Sequence, residues 1–294
     1  FFILGVDVDS NAIGKYFCDE FRIVMSGKKK KEYKDQILNL INDFKIQIII
    51  PTSDEEAITL SEIKNEIKKR KCILASGEES ILKILNNKIK TYDFLERKSL
   101  CDFRWRKILS YDDFKKFSKQ LFEFNETYIF KSADDRGSRN IFFIKSKKVY
   151  NHIENSKYSL DDIKDLLQKN KNASKFFIME ELCKPVYDID MLTWEGELFR
   201  CIQRKRIHSD FPNEGHEIVK NKLILKFCKR IAKEFNLSGL YDCDFMFNKK
   251  NKPVLLEINP RQSGSIAISL VAGFKLIDDL VQLLLGNKIK KSQK

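Results

Sequence analysis

The first third of the chain alternates short apolar runs with segments in which apolar residues recur at helical spacing. The apolar runs are 1–9, 46–52 and 71–76, and the helical segments are 33–44, 53–70 and 78–87. The run IQIIIPT is typical of a strand that a parallel sheet buries on both faces. Ser53 and Asp54 are cap candidates for the second helix. Strand–helix alternation with short connections predicts an α/β domain with a parallel sheet over residues 1–85.

The pattern changes in the middle of the chain. We predict a linker helix over 86–103, followed by a small α+β lobe over 104–181. Ser110 and Asp113 stand in a capping-box relation at the start of the first helix of this lobe. Its helix, hairpin, helix and strand are expected at 110–124, 127–146, 159–170 and 175–182.

The last third, residues 182–294, predicts a larger lobe built on two antiparallel strand pairs. The first pair turns at Glu195–Glu197, and the second turns through the segment NKKNK. The strand pairs are expected at 187–207 and 240–260, and helices are expected at 218–237, 265–273 and 275–285.

Composition excludes several classes of protein. Of the 294 residues 43% are hydrophobic, yet no run approaches the roughly 18 apolar residues of a membrane helix, so we expect a soluble protein. The opening apolar run lacks a basic segment and is broken by Asp7 and Asp9, unlike a signal peptide. Because the chain starts without Met inside a strand pattern, we expect an earlier strand and turn to be missing.

The cysteine and histidine content limits the disulfides, metal sites and catalytic triads that the chain can form. The seven cysteines form no CxxC pair and are odd in number, which predicts reduced thiols and a cytoplasmic location. The three histidines provide little material for a zinc site or a histidine-centred triad. A bound metal is therefore expected to have oxygen ligands, as Mg²⁺ does.

The formal net charge of +13 raises the question of nucleic-acid binding. Most lysines lie on the polar faces of helical segments, and the dense basic run at 27–34 resembles a solvated loop. We therefore do not expect a nucleic acid as a partner, although a basic RNA-binding protein with strongly salt-dependent binding is kept as an alternative. A basic surface suits anionic small molecules equally well.

The second strand pair carries the most informative polar residues. Glu257 and Asn259 share one face of a strand, while Leu256 and Ile258 share the other. Antiparallel pairing can bring Asp244 opposite Glu257, where two carboxylates repel unless a cation lies between them. Two exposed acids on a solvent face are the alternative. The oxygen donors suit Mg²⁺ or Mn²⁺ holding phosphates.

A lysine at the end of a strand provides a second signal. Lys131 closes an apolar strand and is followed by a loop that contains Gly137 and Ser138. Such a loop is a plausible phosphate cradle, although it does not fit the P-loop pattern. A surface lysine is the alternative.

The order of these pieces resembles the ATP-grasp superfamily, in particular the branch that includes the carbamoyl phosphate synthetase large chain and biotin carboxylase. The resemblance covers essentially the whole chain. Its most specific element is CDFMFNKKNKPVLLEINPRQSGS, residues 243–265, which is similar to the family's strand acid followed by E-x-N-P-R. The resemblance implies two α+β lobes that clasp ATP, preceded by a pre-ATP-grasp domain that looks truncated at its N-terminus.

The resemblance also implies roles for individual residues. The positions that match metal ligands, for one or two Mg²⁺ or Mn²⁺ ions, are Asp244, Glu257 and Asn259. Arg261 matches the arginine that contacts the transferring phosphoryl group, and we expect it to act in catalysis together with Lys131. The positions that match ATP contacts are Lys88, Lys131, Ser138 and the hinge residues Glu180, Glu181 and Leu182.

The chain departs from the family pattern at two places. The loop after Lys131 is poor in glycine and has Asn140 where relatives often have glycine. Val186 stands where many relatives have a ribose-binding Glu, a role that Asp188 or Asp190 could take. Candidate contacts for an anionic or acceptor substrate, with ordinary surface charges as the alternative, are Arg200, Arg204, Arg206 and the loop 213–217.

We therefore predict an ATP- and Mg-dependent, ADP-forming ligase that activates a carboxylate as an acyl phosphate for attack by an amine. Its partners would be small-molecule carboxylate and amine substrates. One alternative on the same fold is a carbamoyl phosphate synthetase-like enzyme that phosphorylates carbamate or bicarbonate. Another is a non-catalytic ATP-binding regulatory protein. The apolar helix AITLSEI is a candidate surface for a homodimer, and the motifs do not name the substrates.

Overall fold

The computed structural model describes residues 1–122, 127–133, 141–145, 148–151, 157–158, 160–169, 175–209 and 214–291. Three residues of the predicted phosphate loop, namely Gly137, Ser138 and Asn140, lie outside these ranges.

The first 85 residues form two small parallel sheets with helices around them. One sheet pairs β1 (Leu4–Asp7) with β2 (Glu20–Ile23), and the other pairs β3 (Ile48–Ile49) with β4 (Ile73–Leu74). The helices are α1 (Lys30–Phe44), α2 (Asp54–Ser61), α3 (Lys64–Lys69) and α4 (Glu79–Leu85), and a 3₁₀ helix covers Ile13–Phe17. The parallel arrangement is confirmed, whereas β2 is absent from the sequence prediction because half of its residues are exposed and show no apolar run.

The single helix predicted over 53–70 is wrong, because the chain breaks between α2 and α3. Ile63 leaves the helical conformation, with φ −116° and ψ 20°. It is buried with Leu60 and Ile67 against helix α1 in one hydrophobic cluster. Burial of Ile63 thus takes precedence over continuous helical propensity. The same packing gives the apolar face of AITLSEI, the candidate homodimer surface, a partner within the chain.

Helix α5 (Lys88–Arg97) follows, within the predicted linker segment. The side chain of Asn87 caps it by accepting a hydrogen bond from the Lys90 backbone N–H at 3.0 Å. Tyr92 at the centre of the helix is fully buried, with ring centroids 5.0–5.5 Å from three aromatic rings. These rings belong to Phe103, Trp105 and Phe177. The helix is therefore fixed against the sheets that follow.

The next lobe is a six-stranded antiparallel sheet with two helices. Its strand order is β5-β10-β6-β7-β8-β9. The strands are β5 (Trp105–Ile108), β6 (Thr127–Ser132), β7 (Ile141–Lys145), β8 (Lys148–Asn151), β9 (Lys157–Tyr158) and β10 (Phe176–Glu180), and the helices are α6 (Tyr111–Phe122) and α7 (Leu160–Lys169). Strand β5 is absent from the sequence prediction because the charged residues Arg106 and Lys107 interrupt its two buried ones.

The last lobe is a five-stranded antiparallel sheet of order β13-β12-β11-β14-β15. Its strands are β11 (Cys183–Trp194), β12 (Glu197–Arg206), β13 (His216–Val219), β14 (Gly239–Phe247) and β15 (Pro253–Asn259). Its helices are α8 (Lys222–Glu234), α9 (Ile266–Val271) and α10 (Leu276–Leu284). The predicted helix over 218–237 begins too early, because Ile218 pairs with β12 and Asn221 caps α8. No helix among the described residues has the length and apolarity needed to cross a membrane.

Candidate active site

Two rows of polar side chains cross the sheet of the last lobe. Residues directly opposite one another on neighbouring strands share a face of the sheet. From β11 through β14 to β15, the rows are Asp188–Asp244–Glu257 and Asp190–Asp242–Asn259. The predicted pairing of Asp244 with Glu257 is confirmed. Five carboxylates and one amide thus gather on one face, a concentration of negative charge that requires compensating cations.

A β-bulge lies next to Glu257. The register shifts between the pairs Asp244–Glu257 and Phe245–Leu255, so Leu256 has no opposite residue in β14. Leu255 consequently takes the buried position, whereas alternation along the strand assigns it to Leu256. The Tyr92 hydroxyl donates a hydrogen bond to the Leu256 carbonyl at 2.8 Å. Helix α5 is therefore anchored to the strand that carries Glu257.

Lys88 and Arg206 contact the first row. Lys88 Nζ lies 2.9 Å from Glu257 Oε2. Arg206 bridges the other two acids, since its Nε donates to Asp188 Oδ2 at 2.9 Å and its Nη2 donates to Asp244 Oδ2 at 3.1 Å. These contacts place a cation at each end of the row.

The acids titrate differently. Burial raises the pKa of Asp244 well above its usual range, and the negative neighbours Glu257, Asp242 and Asp188 raise it further. Burial likewise raises the pKa of Asp242 to about 6, against the opposing effect of its arginine partner. Burial would also raise the pKa of Glu257, but Lys88 outweighs it and holds that pKa below its usual value. The ionised form of Asp244 at the centre of the row is therefore disfavoured, and a proton or a cation placed beside it would be stabilised.

Lys131 lies at the end of β6, with only 7% of the residue exposed. Burial and, to a smaller extent, the charge of Lys88 lower the pKa of its ammonium group to about 7. A backbone hydrogen bond connects the segments that carry the two lysines, since the Lys88 N–H donates to the Ala133 carbonyl at 3.3 Å. The ammonium also lies 5.2 Å from the Phe177 ring centroid. The structure thus brings two amines from two elements to one place, and it does not leave Lys131 on the surface.

The donor set fits a divalent cation with oxygen ligands. Within the described ranges no three His, Cys, Asp or Glu side chains form a group that could hold a metal. The predicted set has two carboxylates, and its third member is the amide of Asn259. Asn259 Nδ2 donates to Asp242 Oδ2 at 3.3 Å, which engages the amide nitrogen and not its oxygen. The raised pKa of Asp244 shows that added positive charge would be stabilised here. Asp244, Glu257 and Asn259 are the residues that would hold Mg²⁺.

Arg261 follows β15 and lies between two acids. Its Nη1 donates to Asp242 Oδ2 at 2.9 Å and to the Gln262 carbonyl at 2.8 Å. Its Nε lies 3.4 Å from Oδ1 of Asp54, in the first turn of α2. The guanidinium therefore spans the first 85 residues and the last lobe. Sequence reasoning misses this contact, because an acid in a first helical turn is ordinary and the sequence indicates Asp54 only as a cap candidate.

The predicted adenine hinge follows β10. Glu180 is buried, and its carboxylate accepts hydrogen bonds from Arg104 Nε and Nη2, each at 3.3 Å. The Glu180 N–H donates to the Arg104 carbonyl at 3.0 Å. Leu182 is buried and Glu181 is partly exposed. The Glu180 side chain is thus committed to Arg104, so any polar recognition by Glu180 would have to use its backbone carbonyl or a rearranged carboxylate.

The candidate substrate arginines form internal ion pairs. Arg204 is 0% exposed and donates through Nη2 to Asp190 Oδ1 at 3.1 Å. Arg200 Nε lies 2.8 Å from Asp279 Oδ2. With Arg206 bound to Asp188, these contacts exclude the alternative of ordinary surface charges. They also occupy both acids that the sequence suggests as substitutes for a ribose ligand.

The known proteins that this chain resembles share one fold. Residues 172–294 match a family model described as ATP-grasp in the biosynthetic pathway with Ter operon. No curated protein matches the chain. The biotin carboxylase domain of Hydrogenobacter thermophilus 2-oxoglutarate carboxylase, complexed with MgADP, ADP and bicarbonate, is similar with a TM-score of 0.72 and 14% identity. That match covers 99% of this chain and 65% of the other.

Two further solved structures extend the comparison. N5-carboxyaminoimidazole synthetase from Staphylococcus aureus, complexed with ADP, has a TM-score of 0.70 and 14% identity over 98% of this chain and 72% of its own. L-amino acid ligase from Bacillus licheniformis has a TM-score of 0.65 and 11% identity over 91% of this chain and 63% of its own. The chain spans 65% of the length of each of two matched biotin carboxylase structures. These matches confirm the fold that the resemblance at residues 243–265 implies.

Proposed function

We propose that this chain, whose fold is similar to those of biotin carboxylase and N5-carboxyaminoimidazole synthetase, is the ATP-binding part of an ADP-forming ligase. The enzyme would transfer the γ-phosphoryl group of ATP to a small-molecule carboxylate. An amine would then attack the resulting acyl phosphate and release inorganic phosphate. The reaction class follows the fold, and the residues named below are the ones proposed to carry it.

The observation that supports this proposal most strongly is the convergence of acids and cations from separate elements. Lys88 begins α5, Lys131 is the second-last residue of β6, Asp244 and Glu257 face each other across β14 and β15, and Arg261 follows β15. A structural sheet has no need for opposed carboxylates with buried amines beside them, because burial of each charge is costly. Phosphoryl transfer needs this combination, since it depends on neutralising and positioning phosphate charge.

Each residue has a proposed task. Lys88 and Lys131 bind phosphate oxygens of ATP, and proximity of an anion would restore the protonated form of Lys131. Mg²⁺, when bound to Asp244, Glu257 and Asn259, supplies positive charge to the phosphates. Arg261 donates hydrogen bonds to the phosphoryl group as it moves to the carboxylate.

The hinge and the domain division are part of the same proposal. Glu180, Glu181 and Leu182 would contact adenine between the lobe of residues 104–181 and the lobe of residues 182–294. The domain at 1–85 and the linker at 86–103 would close the substrate crevice, which is where carboxylate and amine should bind. Ser138, outside the described residues, remains a predicted phosphate contact.

A second candidate acceptor is bicarbonate. One matched structure contains MgADP together with bicarbonate. Bicarbonate offers the same carboxylate-type oxygens as an organic acid, so the same site could phosphorylate it. A carbamate acceptor belongs to this second candidate as well.

An assay of ADP release tests the proposal. The chain with MgATP is incubated with pools of carboxylic acids or with bicarbonate, each with and without pools of amines. We expect at least one pool to stimulate ADP release. Stimulation by bicarbonate alone would favour the second candidate, whereas tight ATP binding without stimulation by any pool would support a non-catalytic regulatory protein.

The Glu257→Gln variant tests the proposed task of Glu257. It should abolish stimulated ADP release and leave thermal unfolding close to that of the unchanged chain. Glu197→Gln is the control, since Glu197 lies in the same sheet but is exposed and pairs with Lys291. Unfolding of the Glu257→Gln protein would make Glu257 a structural acid and contradict its proposed task.

A further inference from the structure

Arg261 is held by acids that come from distant parts of the chain. Asp242 belongs to the same sheet as Glu257 and binds one terminal nitrogen of the guanidinium. Asp54 belongs to α2, and its Oδ1 lies 3.4 Å from Nε in an ion-pair contact on another edge of the group. A planar guanidinium contacted at two edges has a more restricted orientation than one held at a single nitrogen.

Helix capping does not explain Asp54. Ser53 accepts the Glu56 N–H at 3.2 Å, and the Glu56 carboxylate accepts the Ser53 N–H at 3.0 Å. This reciprocal capping box already serves the start of α2. Asp54 is nevertheless only 2% exposed, so its carboxylate is buried at an energetic cost. The ion pair with Arg261 is a contact that offsets this cost.

We propose that Asp54 is a positioning residue that fixes the orientation of Arg261 for phosphoryl transfer. The inference rests on the proposed function. Asp54 does not touch the reacting atoms. It holds the guanidinium from the side of the first 85 residues, while Asp242 holds it from the sheet. The productive geometry of Arg261 thus depends on the docking of α2 against the last lobe, which couples the substrate crevice to the phosphoryl-transfer arginine.

Kinetics of Asp54→Asn test this role. We expect kcat for acid-stimulated ADP release to fall by about tenfold or more, because small misplacements of a catalytic group are costly. The KM for ATP should stay within about twofold, since the proposed role of Asp54 is to orient the phosphoryl-transfer arginine and not to bind ATP. Asp54→Glu, which keeps the charge, should recover part of kcat. Glu55→Gln, an equivalent change in the same turn, is the control and should behave as the unchanged chain.

Unchanged kcat in Asp54→Asn would overturn the proposal. Equal losses of kcat and ATP binding, accompanied by a lower melting temperature, would assign Asp54 a structural role and overturn it as well. If Asp54→Asn does not fold, Asp54→Ser takes its place. Failure of both variants to fold would again mean a structural role.

An NMR measurement separates this inference from the proposed function. The Arg261 Nε–H resonance is assigned by its absence in Arg261→Lys, and its exchange with water is measured without substrates. We expect Asp54→Asn to accelerate that exchange by about tenfold or more, and Glu55→Gln to leave it unchanged. An unchanged rate in Asp54→Asn would overturn the role of Asp54. Absence of acid-stimulated ADP release in the unchanged chain would instead overturn the proposed function.

Discussion

Tyr92→Phe removes one hydroxyl that joins helix α5 to the bulge of β15. The hydroxyl donates to the Leu256 carbonyl at 2.8 Å, and Leu256 has no opposite residue in β14. Strand β15 is an edge of its sheet, so no further strand of that sheet can supply the missing donor. The perturbation leaves a carbonyl next to Glu257 without the donor that it has in the folded chain.

The structure limits how much unfolding free energy Tyr92→Phe can remove. The phenylalanine ring would keep its edge-to-face packing, with centroids 5.0, 5.4 and 5.5 Å from those of Phe103, Trp105 and Phe177. The loss is therefore limited to the hydrogen bond and the unsatisfied carbonyl. The carbonyl is only partly buried, so losing its donor should cost about 1 kcal/mol, the usual net contribution of one hydrogen bond. We expect the free energy of unfolding to fall by that amount, and MgATP binding to weaken because Lys88 and Glu257 lose a shared support.

Urea unfolding measures the effect. The midpoint should fall while the dependence of the unfolding free energy on urea concentration stays unchanged, which separates lost stability from altered compactness. Tyr16→Phe is the control, because Tyr16 is 79% exposed and should show no change. An unfolding free energy for Tyr92→Phe within about 0.5 kcal/mol of the unchanged chain would refute the assigned role of the hydroxyl.

Three further substitutions test the charges. Lys131→Met should weaken MgATP binding, as calorimetry would measure, yet leave the free energy of unfolding unchanged or higher, because burial already lowers the pKa of this amine to about 7. Arg204→Met should destabilise the chain by about 3–5 kcal/mol in urea unfolding by leaving Asp190 buried without its arginine, and adding Asp190→Leu should recover part of that loss. Burial would raise the pKa of Glu62, but the hydrogen bonds and charges of the two α1 lysines Lys30 and Lys34 together outweigh it and hold that pKa below its usual value. The stability from these pairs is therefore present above the unfolded pKa and is lost as pH falls through the folded pKa. The difference in unfolding free energy between the unchanged chain and Glu62→Gln, about 1 kcal/mol near pH 7, should disappear in acid, and a difference independent of pH would contradict it.

The sequence predicts the facing of Asp244 and Glu257 because local rules determine it. Alternation assigns each acid to a strand face, and a short polar turn fixes which residues meet. Strand–helix alternation in the first 85 residues predicts the parallel pairing of β3 with β4 for the same reason. The resemblance of the motif at 243–265 predicts the fold, which the structural matches confirm.

Features that depend on distant contacts could not be predicted in this way. The bulge at Leu256 changes which leucine is buried. The Leu256 carbonyl accepts its hydrogen bond from Tyr92, which is 164 residues away in the chain. Ile218 lies in a segment of helical pattern but pairs with β12, and Ile63 interrupts a helix to enter a core. Asp54 looks like an ordinary helix-start acid until α2 docks on Arg261. In each case tertiary packing takes precedence over the local pattern.

The arrangement of charge has a consequence for ligand binding. The central acids of the two rows, Asp244 and Asp242, have raised pKa values, whereas Glu257 at the edge stays ionised beside Lys88. A divalent cation between Asp244 and Glu257 would supply the charge that Lys88 now supplies to Glu257. Lys88 would then be released to meet phosphate, so metal and nucleotide should bind with positive cooperativity. Mg²⁺ should therefore raise the affinity for ATP more in the unchanged chain than in Glu257→Gln. Equal gains in the two proteins would refute the proposed release of Lys88 from Glu257 to phosphate.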